Sequence, residues 1–192
     1  MKHIQTIITA LFLLIFSVAM LAQPSPKFVK FTVKSVHDGD TFVVQDSAGN
    51  QHTVRPIGYD CPEVRSNIIL ETQPYGRIAG DTLRKLIKGK TVLLDTTALK
   101  NGVSRDQYGR LLAEAYFADS SSVALWMTVN GLAWAFETKG RVFPKMNTII
   151  RDAHREARTA KRNLWQGYID KGGKWHAAVA PWTHRKKFSI ND

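Results

Sequence analysis

The stretch from Val36 to Arg55, Val36-His37-Asp38-Gly39-Asp40-Thr41-Phe42-Val43-Val44-Gln45-Asp46-Ser47-Ala48-Gly49-Asn50-Gln51-His52-Thr53-Val54-Arg55, decides how the chain folds. Asp38-Gly39 lies between β-branched and aromatic runs, a strong short-range hairpin signal. Upstream, Phe28, Lys30, Thr32 and Lys34 alternate with Val29, Phe31 and Val33, as in a strand with one buried face. A second turn, Asp46 to Asn50, leads into Gln51 to Arg55, so three strands follow one another as a meander. Pro56 cannot donate to a ladder, so the third strand should end, bulge or run along an edge there.

Downstream, Pro74 opens a helix whose apolar stripe is Tyr75, Ala79, Leu83 and Leu86-Ile87, with Gly89 just past its end. Thr91–Asp95 and Leu111–Phe117 read as strands, separated by a polar turn over 100–109. Ser120 to Ser122 supply N-cap candidates for a helix through Asn130, and 147–164 is the last helical pattern. Five short strands with helices attached suit an α+β chain built on a five-stranded OB-type barrel.

The 192 residues hold 27 Lys plus Arg against 16 Asp plus Glu, a formal net charge of +11 that attracts polyanions. Composition is that of a globular domain rather than a disordered one. Lys2, an apolar run centred on 11–21, and the small Ala22 before Gln23-Pro24 form the layout of a signal peptide, or of an N-terminal anchor if uncleaved. Export, to the periplasm or beyond the cell, is the expectation. Cys61 is the only cysteine, so no internal disulfide braces the fold.

Asp40 sits at the exit of the first hairpin and Asp60 follows the third strand. Two carboxylates at adjacent strand ends would suit a hard cation, which prefers oxygen ligands. An EF-hand is excluded, because no Gly and Glu follow at loop positions six and twelve. Arg55 and Arg110 carry guanidinium forks matched to phosphate oxygens. Glu63 could orient or deprotonate a water. Each residue alone is more economically read as turn chemistry or solvated surface; together they make a phosphodiesterase constellation. A faint Glu137-x-Lys139 pattern suggests another nuclease class only weakly.

The run Val36-His37-Asp38-Gly39-Asp40-Thr41, then Val54-Arg55-Pro56-Ile57-Gly58-Tyr59-Asp60-Cys61-Pro62-Glu63, then Asp106-Gln107-Tyr108-Gly109-Arg110, resembles the staphylococcal nuclease (thermonuclease) family. The resemblance extends through Gly131-Leu132-Ala133 to Asn163-Leu164-Trp165. It implies an OB barrel with three helices and a calcium-dependent nuclease that cuts DNA and RNA with little sequence preference, leaving 3′-phosphate ends. By the same resemblance Asp40, Asp60 and the backbone carbonyl of Cys61 bind calcium, and Glu63 is the general base. Arg55 and Arg110 bind the phosphate, and Tyr108 helps to hold a nucleotide. Gln107 stands where the family's type member has a phosphate-binding lysine, and Trp134 or Phe136 would replace its second base-stacking tyrosine. The implied organisation is a leader over 1–22, a nuclease domain over 28–168 and a basic tail over 169–192, in a monomer acting on DNA and RNA. The alternative is a non-catalytic OB module that binds single strands, for which Asp40, Asp60 and Glu63 would be an electrostatic liability.

Overall fold

The computed structural model describes residues 28–95, 104–136 and 144–190. The leader, the start of the polar turn at 100–103 and Glu137-x-Lys139 lie outside the described residues.

The strands in chain order are β1 (Phe28–Val36), β2 (Phe42–Gln45), β3 (Gln51–Pro56), β4 (Tyr59–Asp60), β5 (Thr91–Asp95), β6 (Ser104–Arg105), β7 (Leu111–Phe117), β8 (Trp134–Ala135), β9 (Tyr168–Ile169) and β10 (Trp175–His176). The helices are α1 (Gly76–Ile87), α2 (Val123–Val129), α3 (Pro144–Thr159) and α4 (Pro181–Phe188), with a 3-10 turn at Asn163–Gln166.

The expected meander forms. β1 pairs antiparallel with β2 from Thr32↔Gln45 to Val36↔Phe42, and β2 pairs with β3 from Phe42↔Val54 to Gln45↔Gln51. Each register places alternate apolar side chains inward, so Val33, Phe42, Val44 and Val54 are all essentially inaccessible. β5 then pairs with β1 and β7 with β5, both antiparallel. The sheet closes when β7 meets β3 in parallel, Val54↔Leu111 through Pro56↔Ala113. The result is a closed five-stranded barrel with helices packed on it, the predicted OB architecture. β3 ends at Pro56, as a residue without an N–H requires, and the ladder continues through the Ile57 N–H, which donates to the Ala113 carbonyl (3.0 Å).

The first helix does not open at Pro74 as expected: Tyr75 takes a left-handed conformation (φ 68°) that keeps it and Pro74 outside, and α1 starts at Gly76. Lys88 caps α1, and Gly89 beyond it takes φ 75°, a conformation that costs glycine little. Ser122 caps α2 by accepting from the Leu125 N–H (3.2 Å). The last helical pattern divides into α3 and the separate 3-10 turn.

The placement of α1 sets up the site. Its small residues Ala79 and Gly80 press against the β1–β2 loop: a Cβ on Gly39 would lie 2.7 Å from the Cys61 sulfur and 2.9 Å from the Ala79 Cβ. Only glycine fits there, which fixes the backbone immediately before Asp40. At the other end of α1, a Cβ on Gly76 would lie 2.3 Å from the Glu63 carbonyl oxygen. The helix therefore clamps the segments that carry two of the candidate carboxylates.

The expected tail is folded in the described residues through 190. β9 and β10 form a hairpin, and α4 packs on the loop that follows Glu63, with Leu70 N–H donating to the Phe188 carbonyl and Ile190 N–H to the Ile68 carbonyl (3.0 Å each). α4 is thus a fourth helix added to the three expected.

Candidate active site

Barrel closure brings the C-terminal end of β3 beside the N-terminal end of β7, so Arg55 and Arg110 arrive at the same rim. The β1–β2 loop contributes Asp40 and the 57–63 segment contributes Asp60, Cys61 and Glu63. Asp40, Arg55, Glu63, Tyr108 and Arg110 line one cleft of about 500 Å³, and α4 adds Arg185 to it. Asp60 lies beneath these residues, its side chain only 1% exposed and paired to Arg55 and Arg185.

Asp40 is held from three sides. Its own N–H donates to the Asp38 carboxylate (3.0 Å), and its Oδ2 accepts the Cys61 N–H (2.6 Å). Arg55 Nη2 lies 3.5 Å from the same Oδ2 and donates to Asp60 Oδ1 at 2.6 Å, so one guanidinium nitrogen draws the two aspartates together. Arg55 Nη1 donates to the carbonyls of Pro56 (3.0 Å) and Tyr59 (3.1 Å). The guanidinium expected to grip phosphate is therefore committed to protein acceptors in this arrangement. Burial disfavours its charge, but Asp40 and Asp60 outweigh burial and hold its pKa above the ordinary arginine value.

Arg110 is placed differently. Its Nε donates to Asp106 Oδ2 (2.7 Å) and its N–H to Asp106 Oδ1 (3.0 Å). Nη1 is 3.4 Å from Thr41 Oγ1, and the guanidinium carbon sits 5.3 Å from the Tyr108 ring centroid. Nη2 has no partner among the described residues. Tyr108 is 66% exposed, a free ring face at the mouth of the cleft. Asp106 thus orients Arg110, a role that the sequence motif contains without revealing.

Glu63 is braced by Gln73, whose Oε1 accepts the Glu63 N–H (3.1 Å) and whose own N–H donates to the Glu63 carbonyl (2.9 Å). Burial, then the charge of Asp40, push its pKa up to about 7, against the pull of Arg185. Burial likewise raises Asp40 and Asp60, opposed by Arg55. Cys61 is buried and its thiol pushed well above the ordinary range by burial, so it is not a nucleophile.

The raised pKa of Glu63 has a thermodynamic counterpart. An unfolded glutamate titrates near 4.5, whereas the folded one retains its proton to about 7. Between these values the folded state binds more protons, so this stabilising contribution is full below 4.5 and disappears as pH rises through about 7. In chelator, the stability of Glu63→Gln relative to wild type should therefore rise as pH increases across that window. Denaturant melts at several pH values check it; a pH-independent difference would show that Glu63 is not perturbed.

The residues suit a hard dication. Among the described residues no three His, Cys, Asp or Glu side chains are placed to hold a metal, so the protein would provide Asp40 and Asp60. The Cys61 carbonyl and water would complete an all-oxygen set of the kind calcium takes. The convergence of both aspartates on one cationic nitrogen shows that positive charge is wanted there.

Two sequence expectations are refined by the geometry. Trp134 is buried and packs edge-on to Trp165 (centroids 5.0 Å apart), whereas Phe136 lines the cleft and lies 5.8 Å from the Trp182 ring of α4. Phe136 is thus the aromatic available to a base. Sequence reasoning missed Arg185, whose Nη2 donates to Asp60 Oδ2 (2.8 Å) and whose Nη1 donates to Glu63 Oε1. The available signal was Pro181, a helix-opening residue four positions before it.

Comparison with known proteins agrees with this arrangement. A family model described as staphylococcal nuclease homologue matches residues 53–167. The chain is 33% identical over 156 residues to a protein of Escherichia coli O157:H7 named "Uncharacterized endonuclease", covering 80% of this chain and 84% of that one. It is 31% identical over 152 residues to "Endonuclease YncB" of Bacillus subtilis (strain 168), covering 77% and 67%. A third relative, "SPbeta prophage-derived endonuclease YokF" of the same strain, is 30% identical over 152 residues, which span 77% of this chain and 48% of that one. With its barrel, its three motifs and its matched span in agreement, the chain belongs to the staphylococcal nuclease family.

Proposed function

We propose that this nuclease hydrolyses phosphodiester bonds of DNA and RNA as a calcium-dependent monomeric endonuclease with little sequence preference, leaving 3′-phosphate ends. The observation that carries the reading is the meeting of Asp40, Glu63, Arg55 and Arg110 at a single cleft, with Asp60 paired to Arg55 just behind it. Calcium, held by Asp40, Asp60 and the Cys61 carbonyl, would supply positive charge to polarise a phosphoryl oxygen.

The chain's own groups do the rest. Arg110, oriented by Asp106, offers Nη2 to the phosphate as negative charge builds on its oxygens. Tyr108 and Phe136 give faces on which the flanking bases stack. Arg55 keeps Asp40 and Asp60 together although both are buried. Glu63 takes a proton from an attacking water. The water oxygen bonds to phosphorus, the bond to the 5′ oxygen breaks, and that oxygen leaves as a hydroxyl after protonation. Without a dication the Glu63 carboxyl is raised to about 7 by burial; the positive charge of a dication nearby would favour the carboxylate that accepts the proton.

Digestion of plasmid DNA and of RNA tests this. Cleavage should require added calcium, stop on chelation and yield 3′ ends that can be extended only after phosphatase treatment, beside 5′-hydroxyl ends that a kinase labels directly. Undiminished activity in chelator would remove the metal mechanism. The proposal also includes export directed by the leader over 1–22. N-terminal sequencing of protein recovered outside the cytoplasm checks this, and a wholly cytoplasmic protein retaining Met1 would overturn it.

A further inference from the structure

The family match ends at residue 167, yet the cleft has a wall beyond it. α4 is seated on the loop after Glu63 by more than one contact. A ring nitrogen of the buried His184 is 2.9 Å from the Glu71 carbonyl, and Gln73 Nε2 donates to the Val179 carbonyl. Gln73 is also the residue that braces Glu63. The helix and the glutamate therefore share one support.

From that seat Arg185 reaches the acidic floor. Nη2 donates to Asp60 Oδ2 at 2.8 Å, Nη1 lies 3.3 Å from Asp60 Oδ1, and Nη1 also donates to Glu63 Oε1. Its side chain is 36% exposed, so solvent reaches it from the cleft. With Arg55 on the other side, both oxygens of Asp60 carry an arginine. The oxygens covered are the ones that a dication and an attacking water would need. A guanidinium stays charged at any working pH, so it can vacate the site only by moving. Arg55 already bridges Asp40 and Asp60, so the contact that Arg185 adds is the one that ties Asp60 to Glu63.

We propose that Arg185 is a tethered counter-cation: it holds Asp60 and Glu63 while the site lacks a dication, and it must be displaced for the dication to enter. α4 thereby sets the cation concentration at which the nuclease becomes active. This inference rests on the dication reading above and deepens it. Arg185 competes with the ion in the same way that one ligand competes with another for a shared site, but at the high effective concentration of a group attached to the same chain.

Isothermal titration of calcium into the full chain, without nucleic acid, tests the inference on binding alone. Arg185→Gln should tighten calcium binding about tenfold or more, because one positive charge is removed from beside the ligating oxygens. The same variant should melt at a lower temperature than wild type in chelator, and calcium should restore it. Arg185→Lys keeps the charge, loses the fork, and should fall between the two; it remains informative if the Gln variant does not fold. Lys186→Gln removes a neighbouring charge that makes no contact with the floor, and should leave the dissociation constant within about twofold of wild type, since exposed charges are screened. Unchanged or weaker calcium binding in both Arg185 variants would overturn the proposal. So would equal tightening in Lys186→Gln, which would reduce the effect to overall charge. Calcium binding by none of the proteins would remove the dication reading itself, whereas binding by wild type with no gain in the variants would remove only the role of Arg185.

Discussion

Glu63→Gln should lower kcat by about three orders of magnitude, within the range by which positioned general bases accelerate reactions. The substitution preserves shape and both backbone contacts to Gln73, so the loop should remain in place. What disappears is the ability to accept a proton, because an amide oxygen is a far weaker base. The variant should also lose an ionisable group that is unfavourable to bury at neutral pH, so it should be no less stable than wild type above pH 7. Single-turnover cleavage of a short single-stranded DNA at saturating enzyme isolates the effect on chemistry. A loss below tenfold would reject Glu63 as the base.

Arg110→Ala should cost a further large factor, about two to three orders of magnitude in kcat, as expected when a preorganised donor to a developing anion is removed. Arg110 is anchored through Nε and its backbone N–H to Asp106, which leaves Nη2 to act without reorganisation. Asp106→Asn should reproduce part of this loss without touching the phosphate, because the guanidinium would keep its charge but lose its fixed aim. Arg110→Lys should rescue little, since an ammonium is a single point of charge. Wild-type kcat in Arg110→Ala would show that the cleft stabilises its transition state by other means.

Most of the barrel was legible because its signals are local. The Asp38-Gly39 turn, the alternation in β1 and the short apolar runs of β5 and β7, the latter broken only by Glu114, each specify a strand within a few residues. The candidate carboxylates were legible by a different route, since only the joint spacing of three motifs marked them out. Contacts between distant segments were not legible. Nothing near Arg110 says that Thr41 will stand 3.4 Å from it, and nothing near Arg55 says that Asp40 will stand 3.5 Å from its fork. The first of these depends on barrel closure between β3 and β7, the second on the folding of the β1–β2 loop against the 57–63 segment. Arg185 was the hardest to read. A cluster of Arg185, Lys186 and Lys187 ordinarily marks a solvated surface, and only the docking of α4 on residues 68–73 singles out one of the three.

Closure of the barrel by a parallel pairing has a consequence for when in its life the molecule can act. The hairpins of β1 to β3 can form as soon as they exist, but the seam needs β7, more than fifty residues after β3, and the cleft wall needs α4 near the end of the chain. Pairings between such distant segments form slowly and late. During synthesis the guanidinium of Arg110 therefore meets Asp40, Asp60 and Glu63 only once β7 has emerged and paired with β3, and the α4 wall is added last. The order of assembly, first the meander, then the seam and last the α4 wall, thus follows from where these segments lie along the sequence.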